Sequence, residues 1–351
     1  MSQRTLAGLL ALPLVVGLWL VAVFVPLPYV TYSPGLTVDV LGESQGDEIV
    51  QVSDDKAHRD SGELLLTTVY VTRPNARVNL FEVMAAWFDR DKAVLPYEAV
   101  YSPDQSREDV EFEGAVQMAS SQDVAVAVAM QRLGFDVPSA VEVLLISDGM
   151  PADGVLERGD VILAVGDKAV STPQDVVDAV DAAKEGDTLS FTIRRARAER
   201  TVEVQPRMVE GDLRIGITPA QGYEFPFDVD LNIDPSIGGS SAGLMFSLGV
   251  YDTLTPGSLT DGATIAGTGT MAADGTVGPI GGVAQKIASA RDAGAELFMV
   301  PASNCEEALG ARPGDMRLVR ADKFNDALTS IEAWVDDPDA ALPSCDRKQE
   351  K

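Results

Sequence analysis

Ser241 lies where a serine can act as a nucleophile. It belongs to a segment of small residues, 235–243, between an alternating polar and apolar stretch and the apolar run that begins at Leu244. Small residues let a substrate backbone approach closely, and the first N–H groups of a helix can face developing negative charge. The alternative is that Ser240 only caps the helix that follows.

The segment from Gly239 to Gly243 also fits the G-x-S-x-G pattern of esterases. In that fold the catalytic histidine follows the serine in the chain, whereas His58, the one histidine of the sequence, lies far upstream in a charged segment. If Ser241 is a nucleophile, its base must therefore be a group other than imidazole. A serine esterase that uses His58 is kept as an alternative.

Lys286 is the lysine that could serve as this base. Burial disfavours the ammonium form, so a buried lysine can become a neutral amine that accepts a proton from a hydroxyl. An apolar stripe at helical spacing, from Val283 to Ala290, predicts a helix that begins after Gly282, and Lys286 lies beside that stripe. The alternative is a lysine whose stem follows the core while its charged head stays in water.

Composition excludes several classes of function. The chain has 351 residues, of which 46% are hydrophobic and 23% charged, so it should form real hydrophobic cores. It carries 54 acidic and 27 basic residues, and the resulting charge of −27 disfavours nucleic acid as a partner. One histidine and two cysteines leave too few ligands for most metal sites, so we predict neither a metal nor a cofactor.

The N-terminus predicts a transmembrane anchor. The 20 residues from Leu6 to Val25 carry no charge, and a helix of that length spans about 30 Å of hydrocarbon. Arg4 precedes this run, and Tyr29 and Tyr32 follow it at interfacial depth. We therefore expect a single-pass protein of the cell membrane with the bulk of the chain outside the cytoplasm. A cleaved signal peptide is the alternative, although the apolar run is longer than usual for one.

The two cysteines bear on the same expectation. Outside the cytoplasm a disulfide can persist, so Cys305 and Cys345 could pair. They are 40 residues apart in the chain, and nothing in the sequence fixes their distance in space. Pairing is therefore left open.

Residues 141–207 follow the order strand, turn, strand, helix and hairpin. Within them the pattern P-A-D-G-x-L-x-x-G-D-x-I-x-x-V-x-D resembles the bacterial PDZ domain. The resemblance implies a groove between a strand and a helix, in which an extended peptide adds to the sheet. The apolar residues expected to line it, which are also ordinary core positions, are Val141, Val143, Leu145, Val176 and Val180. The segment 133–135, Leu-Gly-Phe, is a candidate carboxylate-binding loop.

A second resemblance covers residues 213–335. The triplet Ser241-Ala242-Gly243 is followed after 45 residues by the lysine of P-I-G-G-V-A-Q-K, with T-G-T and D-G-T-V-G-P-I-G-G between them. This arrangement resembles the proteolytic domain of Lon-type Ser-Lys proteases. The resemblance implies that Ser241 is the nucleophile, Lys286 the general base and Thr268 the hydroxyl that orients the lysine.

Two departures from the Lon pattern matter. The family usually has Asp-Gly-Pro before the serine, whereas this chain has Gly238, Gly239 and Ser240, so a nearby acidic contribution is in doubt; we count Gly239 and Ser240 as supporting residues. No G-x-x-x-x-G-K-[ST] phosphate loop occurs in the sequence, so the ATP-driven unfolding module of full Lon is absent. Such a protease should cut only substrates that are already unfolded or flexible.

Together these features resemble the membrane-anchored, PDZ-containing Lon-like proteases of bacteria. The expected fold is α+β, with a tip and anchor at 1–30, a mixed segment packing with the PDZ module at 31–135, a PDZ-like domain at 136–210, a Lon-like domain at 211–337 and a tail at 338–351. Expected partners are protein or peptide substrates, the membrane and, by resemblance, further copies of the chain. The alternative is a tethered peptide-binding scaffold without activity. Whether the PDZ module would recruit substrate or gate access is left open.

Overall fold

The computed structural model describes residues 3–53, 56–102, 105–195, 197–209 and 211–345, with side chains from residue 11 onward. Its helices are α1 (Gln3–Phe24), α2 (Leu80–Phe88), α3 (Arg107–Arg132), α4 (Pro173–Asp181), α5 (Gly243–Thr253), α6 (Val283–Asp292), α7 (Cys305–Ala308) and α8 (Phe324–Asp336). The strands before α3 are β1 (Tyr29–Asp39), β2 (Glu43–Ser44), β3 (Asp47–Glu48), β4 (Val50–Gln51), β5 (Glu63–Val71) and β6 (Ala93–Pro96).

The remaining strands fall into two groups along the chain. Those up to residue 223 are β7 (Ser139–Ile146), β8 (Val161–Val165), β9 (Lys168–Ala169), β10 (Leu189–Arg195), β11 (Ala198–Val204), β12 (Arg207–Val209), β13 (Asp212–Arg214) and β14 (Ile217–Tyr223). Those beyond it are β15 (Asp230–Leu231), β16 (Thr264–Gly267), β17 (Thr270–Met271), β18 (Val277–Gly278), β19 (Leu297–Pro301) and β20 (Arg317–Ala321).

The predicted transmembrane anchor is wrong. Within the described ranges, no helix combines the length and the apolar character that crossing a bilayer requires. Residues 1–2 of the predicted tip and 346–351 of the predicted tail lie outside the described residues. Over the residues that the structure describes, the fold class is thus α+β without a membrane-spanning helix.

A six-stranded mixed sheet forms the larger domain, in the order β20-β19-β16-β5-β1-β6. The four strands from β20 to β5 run parallel, and β1 and β6 are antiparallel to their neighbours. Side chains alternate along β5, so Leu64 and Leu66 join the core around α5 whereas Leu65 joins the core around α6. Helix α5 is apolar around its circumference and is accordingly buried along its length. The sheet therefore has a helical layer on each face.

The strand pairing crosses the predicted domain boundaries. Strands β1, β5 and β6 come from the segment expected to pack with the PDZ module, yet they complete the sheet that contains β16, β19 and β20. Strand β14, which was assigned to the Lon-like domain, pairs instead with β7. We name residues 29–132 together with 225–336 the catalytic-type domain, and residues 139–223 the PDZ-like module inserted within it.

The PDZ-like module is built on the antiparallel sheet β11-β10-β8-β7-β14. Its core is a cluster separate from that of the catalytic-type domain and includes Val143, Ile162, Val176 and Phe191. Helix α4 begins at a capping box formed by Thr172 and Asp175 and packs against β14. The last strand of the sheet, β14, thus lies between β7 and α4.

Helix α3 connects the two domains. It begins at a capping box made by Ser106 and Asp109, and it packs both on α5 and on strands β7 and β14 of the PDZ-like module. It ends at Arg132 and is followed by Gly134, whose positive φ of 86° suits glycine, and the N–H of Phe135 then donates to the carbonyl of Met130. The predicted carboxylate-binding loop, 133–135, is therefore the C-terminal cap of α3.

A disulfide ties the C-terminal segment to the catalytic-type domain. Cys305, the first residue of α7, is joined to Cys345, with their Cα atoms 5.0 Å apart. The segment between α8 and Cys345 runs beside β20, where the side chain of Arg317 donates to the carbonyls of Pro338 and Ala340. The disulfide closes a loop that includes β20 and α8.

Removing this disulfide should destabilise the protein. The bond spans 40 residues, and closing a loop of that size restricts the unfolded chain by about 4 kcal/mol. We expect Cys345→Ser to lower the free energy of unfolding by about that amount in a denaturant titration, and Cys305→Ser to do the same. Equal midpoints for wild type and both variants would show that the disulfide contributes nothing.

Candidate active site

Ser241 lies at the N-terminal end of α5 without capping it. The N-cap residue of α5 is Ala242, and no side chain accepts a hydrogen bond from the first turn. Ser241 is half-buried, and of the six residues before it Pro235, Ser236 and Gly238 are exposed. The Ser241 hydroxyl thus has no capping role and lies beside an exposed segment.

Lys286 lies at the end of the first turn of α6. The helix begins after Gly282, whose φ of 70° is left-handed; an added Cβ there would also be 3.0 Å from Cγ1 of Val69. This close approach lets α6 pack against β1 and β5. The side chain of Lys286 then runs into the protein, and only 2% of its surface is exposed.

The amine of Lys286 meets the hydroxyl of Ser241 across the carboxyl end of β16. The Lys286 Nζ to Ser241 Oγ distance is 2.7 Å. Nζ also lies 2.8 Å from the carbonyl oxygen of Thr67 in β5 and 3.1 Å from Oγ1 of Thr268, the residue after β16. The Thr268 hydroxyl donates to the carbonyl oxygen of Ser241 at 3.0 Å.

The groups around Lys286 Nζ leave its lone pair free to accept a proton. The Thr67 carbonyl can only accept, and the Thr268 hydroxyl has its one proton on the Ser241 carbonyl, so it too accepts from Lys286. A neutral amine has two N–H groups, which these acceptors use. Its lone pair is then left for the Ser241 hydroxyl, which can donate its proton to Nζ.

Burial favours the neutral amine. It lowers the pKa of Lys286 from 10.5 to about 7, because an ammonium removed from water loses its hydration. A nearby carboxylate would act in the opposite direction, and burial is the cause of the shift here. Near neutral pH a large share of Lys286 is therefore uncharged.

The segment before Ser241 is held against α3. The N–H of Gly239 donates to the carbonyl of Gly114 at 2.9 Å, and the hydroxyl of Ser121 donates to the carbonyl of Ser240 at 3.2 Å. An added Cβ on Gly238 would lie 3.2 Å from the backbone carbon of Gly114. We name residues 238–241 the serine loop. The glycines that replace the usual Asp-Gly-Pro thus permit close packing of this loop on α3.

His58 lies far from Ser241. His58 lines a small cavity with Asp252 and Thr253, and the backbone N–H of His58 donates to the carbonyl of Thr253. Thr253 ends α5, so it lies about 18 Å along the helix axis from Ser241 at 1.5 Å per residue. The esterase alternative, which requires His58 next to Ser241, is not supported.

The PDZ-like module has a groove between α4 and β14. The cavity has a volume of about 790 Å³; its lining includes Val176, Val177 and Val180 of α4, residues 214–219 and Phe112 of α3. Of the residues predicted to line the groove, Val176 and Val180 do so. Val141 and Val143 are buried in the core of the module, and Leu145 is paired with Thr218 of β14. The edge of β7 that was expected to receive a peptide is occupied by β14.

Several residues of these sites carried too little sequence signal to be singled out. Thr67 contributes a backbone carbonyl, which any residue type could supply. The wall of the PDZ-like groove in β14 could have been found from the run Arg214-Ile215-Gly216-Ile217, where a glycine lies between apolar residues just before a strand. Gly216 has a φ of 83°, which favours glycine, and an added Cβ would overlap Met150.

Comparison with known families finds two matches in the chain. Residues 116–205 match the PDZ domain family, and residues 235–328 match the Lon protease (S16) C-terminal proteolytic domain. The second match contains Ser241, Thr268 and Lys286, whereas Thr67 and residues 107–115 of α3 lie outside both. The matches support a serine peptidase that carries a peptide-binding domain.

Individual proteins resemble this chain over a short segment. Serine protease HTRA1 of Xenopus tropicalis is 36% identical over 66 residues, which are 19% of this chain and 14% of that protein. Among solved structures, the PDZ domain of an SdrC-like protein from Listeria monocytogenes is 27% identical over 23% of this chain and 86% of its own, with a TM-score of 0.22. A PDZ domain of Listeria innocua is 24% identical over 23% and 92%, also with a TM-score of 0.22.

The lowered pKa of Lys286 predicts how activity should depend on pH. Only the neutral amine can accept the Ser241 proton, so kcat/KM should rise about tenfold per pH unit below 7 and level off above it. The measurement is peptide cleavage from pH 5 to 9, with circular dichroism at each pH to confirm that the protein stays folded. A flat profile, or a midpoint near 10, would contradict a buried lysine base.

Proposed function

We propose that the protein is an ATP-independent serine endopeptidase in which Ser241 attacks a peptide carbonyl and Lys286 takes its proton. The observation that carries this proposal is the buried amine, 2.7 Å from the Ser241 hydroxyl with its other two contacts on acceptors. Attack forms a tetrahedral intermediate and a protonated Lys286. Lys286 gives its proton to the amine nitrogen as the C–N bond breaks, which leaves the acyl-enzyme ester on Ser241. Water then attacks this ester, Lys286 accepts the proton of the water, and that proton returns to the Ser241 oxygen when the acid product leaves.

The serine loop is suited to the negative charge that develops on the carbonyl oxygen. Gly239 donates its N–H to Gly114, and Gly243 and Leu244, the first residues of α5, donate theirs to the carbonyls of Ser240 and Gly269, so we assign the oxyanion to the N–H groups of Ser241 and Ala242 just before α5. Backbone N–H groups at a helix N-terminus favour negative charge. Thr268 positions both partners, since it contacts Lys286 and donates to the carbonyl of Ser241.

Substrates of this peptidase are unfolded or flexible polypeptides. The sequence holds no phosphate loop that could drive unfolding, so the substrate chain must reach Ser241 already extended. We further propose that the PDZ-like groove binds the C-terminal tail of such a substrate. Strand β14 is the end strand of its sheet, and a peptide can pair with its open edge beside α4.

We also propose that the protein works outside the cytoplasm. The disulfide between Cys305 and Cys345 supports this location, because cytosolic reductants keep most thiols reduced. Protein isolated from its source under alkylating conditions should carry neither thiol free. Labelling of both cysteines without prior reduction would refute the location.

Removing either member of the dyad should abolish cleavage. We expect Ser241→Ala and Lys286→Met each to lower kcat for an unfolded casein substrate by at least about 1000-fold, because nucleophile and base act as a unit. The measurement is fluorescence release without nucleotide, together with labelling of Ser241 by a fluorophosphonate probe. Ser236→Ala and Lys323→Met, at exposed positions, serve as matched controls and should keep the wild-type rate.

The two readouts separate the dyad from its alternative. A catalytically silent scaffold would neither cleave casein nor react with the probe. Cleavage that persists in Ser241→Ala or Lys286→Met would place the activity elsewhere and overturn the assignment.

A negative charge in the groove should weaken tail binding. Val177 lines the cavity and is 38% exposed, so Val177→Asp should not disturb the core but should oppose an apolar tail and its carboxylate. We expect at least a tenfold loss of affinity for a fluorescent peptide ending in Val-Ile-Val, measured by polarisation. Gln174→Asp adds the same charge to the exposed face of α4 and is the control. Equal affinities for both variants would argue against this groove.

A further inference from the structure

Helix α3 presents opposite faces to the two domains. At about 100° per residue, Phe112 and Asp123 lie on one face of the helix, whereas Gly114 and Ser121 lie on the other. Phe112 lines the PDZ-like groove, and Asp123 shares a hydrogen bond with Glu142 of β7. The opposite face holds the serine loop through the carbonyl of Gly114 and the hydroxyl of Ser121.

The contact of α3 with the PDZ-like module is firm near its middle. Burial and the facing Asp123 carboxyl raise the pKa of Glu142, so these two acids keep a proton between them instead of repelling each other. Next to them, Gln122 accepts from Arg158 of the module at 2.8 Å and donates to the carbonyl of Leu231 at 3.1 Å. A displacement of the PDZ-like module is therefore transmitted to α3.

The contact is open near the start of α3. Phe112 is 52% exposed although it lines the groove, so one side of its ring is uncovered when no peptide is present. A peptide lying along β14 would cover this ring and bury apolar surface on it. The tail would then bind better when α3 is held against the groove, and a ligand shifts an equilibrium by such a difference in affinity.

We propose that α3 is a positioning element through which a tail bound in the PDZ-like groove holds the serine loop, and with it Ser241, in the reactive arrangement. The proposal rests on the proposed peptidase function. The two binding events differ in place: the tail contacts Phe112 on one face of the helix, and the scissile segment reacts on the other. Ser121 is the positioning residue, because its hydroxyl links α3 to the carbonyl next to Ser241.

A tail supplied as a separate molecule tests this coupling. The substrate is a short quenched peptide with an amidated C-terminus, which removes the carboxylate that the groove would recognise. A second, uncleavable peptide ending in Val-Ile-Val with a free carboxylate should raise kcat of this substrate by about fivefold or more at saturation. The same peptide as its C-terminal amide is the control. A recruiting groove without coupling would leave kcat unchanged while the tail binds, and that result overturns the proposal.

Ser121→Ala isolates the link. This variant leaves the groove intact, so the tail should bind with wild-type affinity, yet the increase in kcat should fall to less than twofold. Ser120→Ala, one residue away on the same helix, is the matched control and should respond to the tail as wild type does. Full activation of Ser121→Ala would exclude Ser121 as the link.

The effect of the two sites on each other must be mutual. Measuring it in both directions distinguishes coupling through Ser121 from a purely structural role of this residue. Occupying Ser241 with a reversible peptide aldehyde should tighten tail binding by the same factor by which the tail tightens binding of the aldehyde, and this change should be lost in Ser121→Ala. Failure of the peptidase proposal has a different signature: wild type would then show no cleavage and no labelling with or without tail. Cleavage and labelling that ignore a bound tail would refute the coupling alone.

Discussion

The arrangement of this site depends on the burial of one amine, that of Lys286. An uncompensated buried ammonium is costly, so Lys286 is stable inside the protein only as a neutral or fully hydrogen-bonded group. Its acceptors come from distant parts of the chain: Thr67 lies in β5, and Thr268 follows β16. Parallel pairing of β5 with β16 brings these acceptors to the same end of the sheet, and the glycine before α6 brings the lysine to them.

The catalytic-type domain depends on chain segments on both sides of the PDZ-like module. Strands β1, β5 and β6 form half of its sheet, and α3 covers the helix that follows Ser241. A fragment starting at the Lon-type match would lack the carbonyl of Thr67 and the partners of the serine loop. The inserted module is thus joined to a helix that the catalytic-type domain itself needs, which explains why α3 contacts both.

The side chains that meet at this site could be singled out from the sequence because a hydroxyl or an amine is visible as a residue type. A hydroxyl at Ser241, an amine at Lys286 and a hydroxyl at Thr268 are visible as letters at a fixed spacing, and the structure brings the three together. Thr67 acts through its backbone and leaves no such signal. The groove wall was assigned to Val141 and its neighbours because alternating apolar strands look alike, and only pairing shows that β14 covers β7. The transmembrane anchor was predicted from the length and apolar composition of the N-terminal run. These two properties of the sequence did not lead to the correct structure.

The departure of the serine loop from the Lon pattern has a structural reason that bears on regulation. Gly238 lies against Gly114 so closely that a side chain on Gly238 would force the loop away from α3. Asp and Pro before the serine would shape the loop from within, since proline fixes its own backbone angle. With glycines there, the loop has more conformational freedom and takes its shape from its hydrogen bonds to α3. Because hydrogen bonds to α3 set the shape of the serine loop, a change in α3 can alter the geometry of the loop. Helix α3 also contributes Phe112 to the wall of the PDZ-like groove.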